Sequence, residues 1–184
     1  MNTRYITKAS LIAAIYIVLV LIQMLPAPFV NLTFGPIQLR LAEGLTLLPL
    51  VEAAAVPGLF VGCLLANLLL AAYSGFGLID IIGGSAVTLL AAYLTYKVGQ
   101  STIQARGKEG RGIFKTRISL KGVILGMIPP VALNGLIVSI WVSYFTKVPY
   151  IITVLGIAGG ELASVIFGIL TLVAYEKATG FKEY

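Results

Sequence analysis

Long apolar stretches alternate along the chain with short breaks where glycine, proline and charge collect. Several of these runs extend for roughly 18–25 residues, enough for a helix to cross the hydrocarbon core of a bilayer. Runs and breakers together predict helices over 7–25, 37–51, 54–73, 77–98, 119–145 and 149–176. The stretch 37–73 reads either as one long kinked helix or as a hairpin. In "PLVEAAAVPG", Pro49, Pro57 and Gly58 interrupt the pattern and Glu52 sits between them, which favours a turn. The expected fold is all-α: a polytopic membrane protein whose six transmembrane helices form one compact bundle over 1–184, with no convincing internal repeat.

Charge placement supports the hairpin. Lys and Arg fall at 4 and 8, at 97, 106, 108, 111, 115, 117 and 121, and at 177 and 182, with Arg40 and Lys147 as the exceptions. The positive-inside rule then places both termini and the 97–121 loop in the cytoplasm. That needs four spans before the loop and two after it, whereas a fused 37–73 helix would strand seven cations outside. The run "RGKEGRGIFKTR" also reads as a nucleic-acid patch, but a cytoplasmic loop accounts for the same charge. At the N-terminus the apolar run from Leu11 to Met24 has no clean small-residue cleavage site, so it is taken as a retained first span and not a signal peptide.

Composition narrows the chemistry. The chain is 59% hydrophobic and 11% charged, with a mean hydropathy of +1.00, where soluble domains carry about 25% charged residues. With no histidine and a single cysteine, Cys63 in "LFVGCLLA", zinc sites, thiol chemistry and histidine general bases are disfavoured. No metal site or cofactor is expected. Trp141, Tyr144 and Tyr150 are placed as an interfacial aromatic belt where the fifth and sixth helices meet the outer surface. Small residues at four-residue spacing (Ala9 and Ala13; Gly58, Gly62 and Ala66; Gly156 and Gly160) allow close helix approach, mostly within the molecule.

Topology assigns each intramembrane polar residue a depth. At about 1.5 Å per residue, Arg40 and Glu43 lie in the outer third, on one face of a helix whose nonpolar neighbours are expected to meet lipid. Asn67 reaches a similar depth, Asp80 begins the fourth helix, and Asn134 and Glu161 fall near mid-membrane. All converge on the outer half. Each also has a plainer role: Arg40–Glu43 as an i,i+3 pair, Asp80 at a helix start, Asn67 as an interhelical hydrogen bonder. Asn134 could repair the Gly126 carbonyl orphaned by Pro130, and Glu161 could partner Arg40. A mid-membrane carboxylate costs at least a few kcal/mol and ordinarily faces a cavity or a partner. Together the residues suggest an outward-opening pocket in which excess carboxylate favours a ligand with amine or N–H donors, as on a guanine-like edge. Arg40 would orient Glu43 or touch a ligand carbonyl. The uncharged loop 25–36 is either a lid or a membrane-hugging connection.

The runs "IQLRLAEGLTLLPL", "VPGLFVGCLLANLL", "GLIDIIGGSAVTLLAAYLTYK" and "GIAGGELASVIFGI" resemble the QueT family among the substrate-binding S components of energy-coupling factor (ECF) transporters. The family's R-x-x-E falls on Arg40 and Glu43, its acidic helix start on Asp80, and its G-E on Glu161. Ala42 and Gly44 depart from the bulkier or more polar run expected there. The resemblance implies a queuosine-precursor substrate, a 7-deazaguanine base such as queuine or its aminomethyl form. One acid would then serve the guanine-like edge, one the amine, and one Arg40. It further implies a transmembrane coupling subunit and two cytoplasmic ATPases as partners, docking at Ala9 and Ala13, in a bacterial plasma membrane. The chain carries no G-x-x-x-x-G-K-[ST] loop, so ATP would be hydrolysed by those partners. Competing readings are an S component for cobalamin, riboflavin or thiamine, a small membrane enzyme using Glu43 or Glu161 as acid or base, and an assembly subunit.

Overall fold

The computed structural model describes residues 2–24, 36–104 and 118–179. They form α1 (Thr3–Met24), α2 (Leu41–Leu50) and α3 (Ala55–Leu69), the last followed by a single turn, Ala71–Ser74. Next come α4 (a π-wound turn, Ile79–Gly84, running into Ser85–Gln104) and α5 (Leu120–Leu133, a second π turn at Asn134–Val138, then Ser139–Thr146). α6 (Tyr150–Thr179) completes the bundle. Among the described residues, four helices are long and apolar enough to cross a membrane: Thr3–Met24, Ile79–Thr102, Leu120–Thr146 and Tyr150–Thr179. α2 and α3 are shorter than the expected spans. The stretch 37–73 divides as a hairpin, its turn at Val51–Ala54. The loop 25–36, except Pro36, and the basic stretch 106–117 lie outside the described residues.

α2 differs most from expectation. It is wound throughout as a 3-10 helix of ten residues, unusually long for this conformation, and at about 2.0 Å per residue it reaches about 20 Å where an α-helix would reach about 15 Å. Every residue from Ala42 to Leu50 is buried. A helix that is apolar all round belongs in a protein interior, and the leucines expected to meet lipid instead fill the core: Leu45 and Leu48 beside α1 and α3, and Leu47 and Leu50 beside α5 and α6.

The reason is the glycine face of α6. A Cβ on Gly160 would collide with the Gln38 carbonyl, and one on Gly168 with the Gly44 carbonyl. A Cβ on Gly44 would in turn sit 3.0 Å from the Ser164 carbonyl. The Thr171 hydroxyl then donates to the Gly44 carbonyl at 3.1 Å. Gly44, with no side chain, is what lets the two backbones touch.

Contacts set the directions. Gly58 packs on Ala9 and Ile12, and Gly62 on Ala13 and Tyr16, so α1 and α3 run parallel. α2 and α6 run opposite to them, with Pro36 beside Gly156 and Gly44 beside Gly168. Thr3, Glu52, Gln104, Leu120 and Thr179 thus gather at one end of the bundle. Most small residues serve internal packing, but α1 and α3 leave a surface groove of about 180 Å³ lined by Tyr5, Ile6, Ala9, Ala13, Pro57 and Val61, among others.

At that end Glu52 clasps three elements. Lys8 Nζ lies 2.5 Å from Oε2, the Tyr175 hydroxyl donates to the same oxygen at 2.5 Å, and the Ala54 N–H donates to Oε1 at 3.1 Å. Burial pushes the carboxyl up, but the hydrogen bonds from Lys8, Tyr175 and Ala54 outweigh it and hold Glu52 below its ordinary value. A depressed carboxylate stabilises the fold above its unfolded value of about 4.3 and stops doing so as pH falls through the native value. Glu52→Gln should therefore lower the melting temperature in detergent at neutral pH, and the gap from wild type should close as the pH drops below about 4.

Candidate ligand-binding site

Arg40 is not on a helix. It precedes α2 in extended conformation (φ −116°, ψ 98°), held by its neighbours. The Gln23 side-chain amide donates to the Leu39 carbonyl and its oxygen accepts from Leu41 N–H at 2.8 Å. Ser164 Oγ accepts from Arg40 N–H at 3.2 Å. The i,i+3 pairing with Glu43 requires helical geometry at both residues and does not form. Arg40 reaches instead across the bundle, its Nη2 3.8 Å from Asp80 Oδ2, with the two side chains 11% and 2% exposed.

Asp80 is presented by the π turn that opens α4. Asn67 Nδ2 donates to its carbonyl at 2.9 Å, and Trp141 Nε1 donates to Oδ1 at 3.3 Å. A Cβ on Gly84 would stand 3.2 Å from the Asn67 amide nitrogen and 3.4 Å from Asp80 Oδ1, so glycine leaves room for both. Asn67 is thus a positioning residue for the Asp80 turn. Trp141 is buried and belongs to the site, not to the interfacial belt; Tyr144 and Tyr150 remain exposed.

Glu43 is fully buried and takes a 2.5 Å hydrogen bond on Oε1 from the Tyr16 hydroxyl. Tyr16 sits one turn beyond Ala13, its Cβ against Gly62. Beneath lies Cys63, buried, with contacts from Asn67 Nδ2 at 3.5 Å and Thr88 Oγ1 at 3.4 Å. Asn134 starts the π turn of α5. It does not repair the kink, because Thr95 Oγ1 donates to the Gly126 carbonyl at 3.1 Å. A Cβ on Gly135 would stand 2.9 Å from Ala158, and Asn134 neighbours Glu161. Glu161 lies within electrostatic reach of Glu43 and Arg40 without forming an ion pair to Arg40 within 4.0 Å.

All six polar residues picked out in the sequence (Arg40, Glu43, Asn67, Asp80, Asn134, Glu161) therefore meet in the half of the bundle away from Glu52. Tyr16, Gln23, Trp141 and Ser164 join them. What distinguishes the cluster is unmet hydrogen-bonding capacity. Glu43 Oε2, Asp80 Oδ2, Glu161 Oε1, Asn134 Nδ2 and Gln38 Nε2 are buried with no hydrogen-bond partner. Leaving one such group bare costs about 1–3 kcal/mol, and more if charged. Such groups ordinarily find a partner in protein, ordered water, an ion or a ligand. Among the described residues no group of three or more His, Cys, Asp or Glu is placed to hold a metal ion.

A family model described as "QueT transporter" matches residues 6–177. No curated protein matches the chain, and no solved structure does.

The Arg40–Asp80 pair yields a double-mutant test. Arg40→Met strands a buried carboxylate and should cost about 3–5 kcal/mol. Arg40→Met with Asp80→Asn should recover part of that loss, read as non-additive melting temperatures in detergent. Additive losses would place Arg40 outside the pair.

Proposed function

The chain belongs to the QueT transporter family, a family of ECF S components, and from that premise we propose that it is the high-affinity substrate-binding subunit of an ATP-driven importer of queuosine precursors, 7-deazaguanine bases such as queuine or its aminomethyl form. It is a multi-pass membrane protein of a transporter family, which sets aside the membrane-enzyme reading. The single observation that supports a substrate site is the enclosed cluster of Arg40, Glu43, Asp80 and Glu161 with its unpartnered oxygens. A deazaguanine presents what those oxygens lack: adjacent ring and exocyclic N–H donors, matched by a carboxylate accepting two parallel bonds. Gln38 Nε2 and the Arg40 guanidinium offer donors for the ring carbonyl. Asn67 enters through the Asp80 turn that it holds.

The end of the bundle carrying Glu52 and both described chain ends faces the cytoplasm in this reading, following the positive-inside rule. The cluster then lies toward the outside of a bacterial plasma membrane, where substrate is captured. A coupling subunit packs into the groove at Ala9 and Ala13, and two cytoplasmic ATPases supply the energy.

Titration of detergent-purified protein with queuine, its aminomethyl precursor, riboflavin, thiamine and cobalamin tests the substrate. A deazaguanine should bind at micromolar concentration or tighter and the vitamins should not; preference for a vitamin would transfer the site to that ligand. Ala9→Trp tests the groove. It should abolish ATP-dependent uptake in cells with binding by the isolated chain intact, whereas loss of both would make the groove a folding surface.

A further inference from the structure

The cluster divides into two unequal parts. Arg40 forms its ion pair with Asp80, which also receives Trp141 Nε1. Among the described residues, Glu43 and Glu161 have no cation within 4.0 Å. Among the described residues the Glu43 carboxylate is hydrogen-bonded by the Tyr16 hydroxyl alone, which satisfies Oε1 and brings no charge. Glu43 Oε2 and Glu161 Oε1 are both bare, on residues 0% and 3% exposed. Glu161 lies in the field of Glu43, and Arg40, the cation that acts on both among the described residues, is engaged by a third carboxylate. Like charges in a low-dielectric interior repel strongly, and a buried uncompensated carboxylate is among the most expensive groups a fold can hold.

We propose that Glu43, Glu161 and Asn134 form a subsite for a protonated amine on the substrate, while the neutral ring system lies toward Arg40, Asp80 and Trp141. An ammonium supplies both missing quantities at once, a positive charge between two carboxylates and N–H donors for their free oxygens. Asn134, on the π turn of α5, neighbours Glu161. Tyr16 occupies Oε1 of Glu43 and so leaves Oε2 free to accept from the amine. Sorting of ligands then follows charge: a cationic side arm is favoured over a neutral one of the same size.

This inference rests on the deazaguanine reading and separates from it by experiment. Purified protein is titrated calorimetrically with 7-aminomethyl-7-deazaguanine and with its neutral 7-hydroxymethyl counterpart. A charge-assisted hydrogen bond corresponds to about a tenfold or greater difference in Kd, so the aminomethyl base should bind at least about tenfold tighter. Glu161→Gln should weaken the aminomethyl base more than the neutral base and so remove most of that preference. Binding of the neutral base also reports that the variant is folded, and the wild-type comparison needs no variant at all. Equal wild-type affinities, or a Glu161→Gln loss shared equally by both bases, would overturn the amine subsite and leave the deazaguanine reading standing. Binding of neither base would overturn both.

Discussion

Contact between two backbones governs the rest of this bundle. Segment 36–44 lies directly on the glycine face of α6, close enough that a methyl group on Gly156, Gly160 or Gly168 would overlap a carbonyl oxygen. Apolar side chains gain little by meeting each other when the surroundings are lipid, so close packing and hydrogen bonds must hold such helices together. Here they do so by bringing peptide against peptide, with Thr171 and Ser164 bonding to the opposite chain. Arg40 is caught in extended conformation by that contact, and Glu161 sits one residue beyond Gly160. The charged residues of two segments distant in sequence thus become neighbours through residues that carry no side chain.

Departures from α-helical winding occur where the polar groups are. Asp80 and Asn134 each lie in a π turn, and Glu43 lies in the first turn of the 3-10 segment. Such irregularities cost regular backbone hydrogen bonding and are commonly found at functional sites. Each one turns a side chain off the face that regular periodicity would assign it, here into the bundle. The site is made by local winding as much as by the choice of residues.

The order of the helical segments and the identity of the buried charges were legible from sequence, because breakers punctuate the runs and a charge inside an apolar stretch stands out. The pairings were not. Arg40 at i and Glu43 at i+3 suggest an ion pair only if both are helical, and nothing in "IQLRLAEGL" announces that the helix begins after Arg40. A segment as rich in leucine as "LAEGLTLLPL" offers no periodicity from which to read 3-10 winding or to tell burial in protein from burial in lipid. Tyr16 was not singled out and Trp141 was assigned to the interfacial belt for a related reason: aromatics with one polar atom are common at membrane surfaces, and only the partner oxygen, on another helix, marks them as interior. The glycines of α6 were visible as a packing stripe, but their partner, a bare backbone, leaves no signature in side-chain pattern.

The buried position of α2 also bears on how the molecule is made. A ten-residue segment opening beside an arginine and carrying a glutamate is a poor candidate for partitioning into lipid unaided, since each such charge is penalised by about 2.5–3.5 kcal/mol at a helix centre. Its stabilising surface belongs to α6, and 127 residues separate Gly44 from Thr171. At roughly 5–20 residues per second, α2 waits about 6–25 s after its synthesis before that surface exists. During this interval Arg40 and Glu43 have neither the Ser164 clamp nor Glu161 nearby. Assembly of this membrane domain is therefore completed from its C-terminal helix inward, and a chain stalled before α6 would present an unfinished α2 to the cell's quality control.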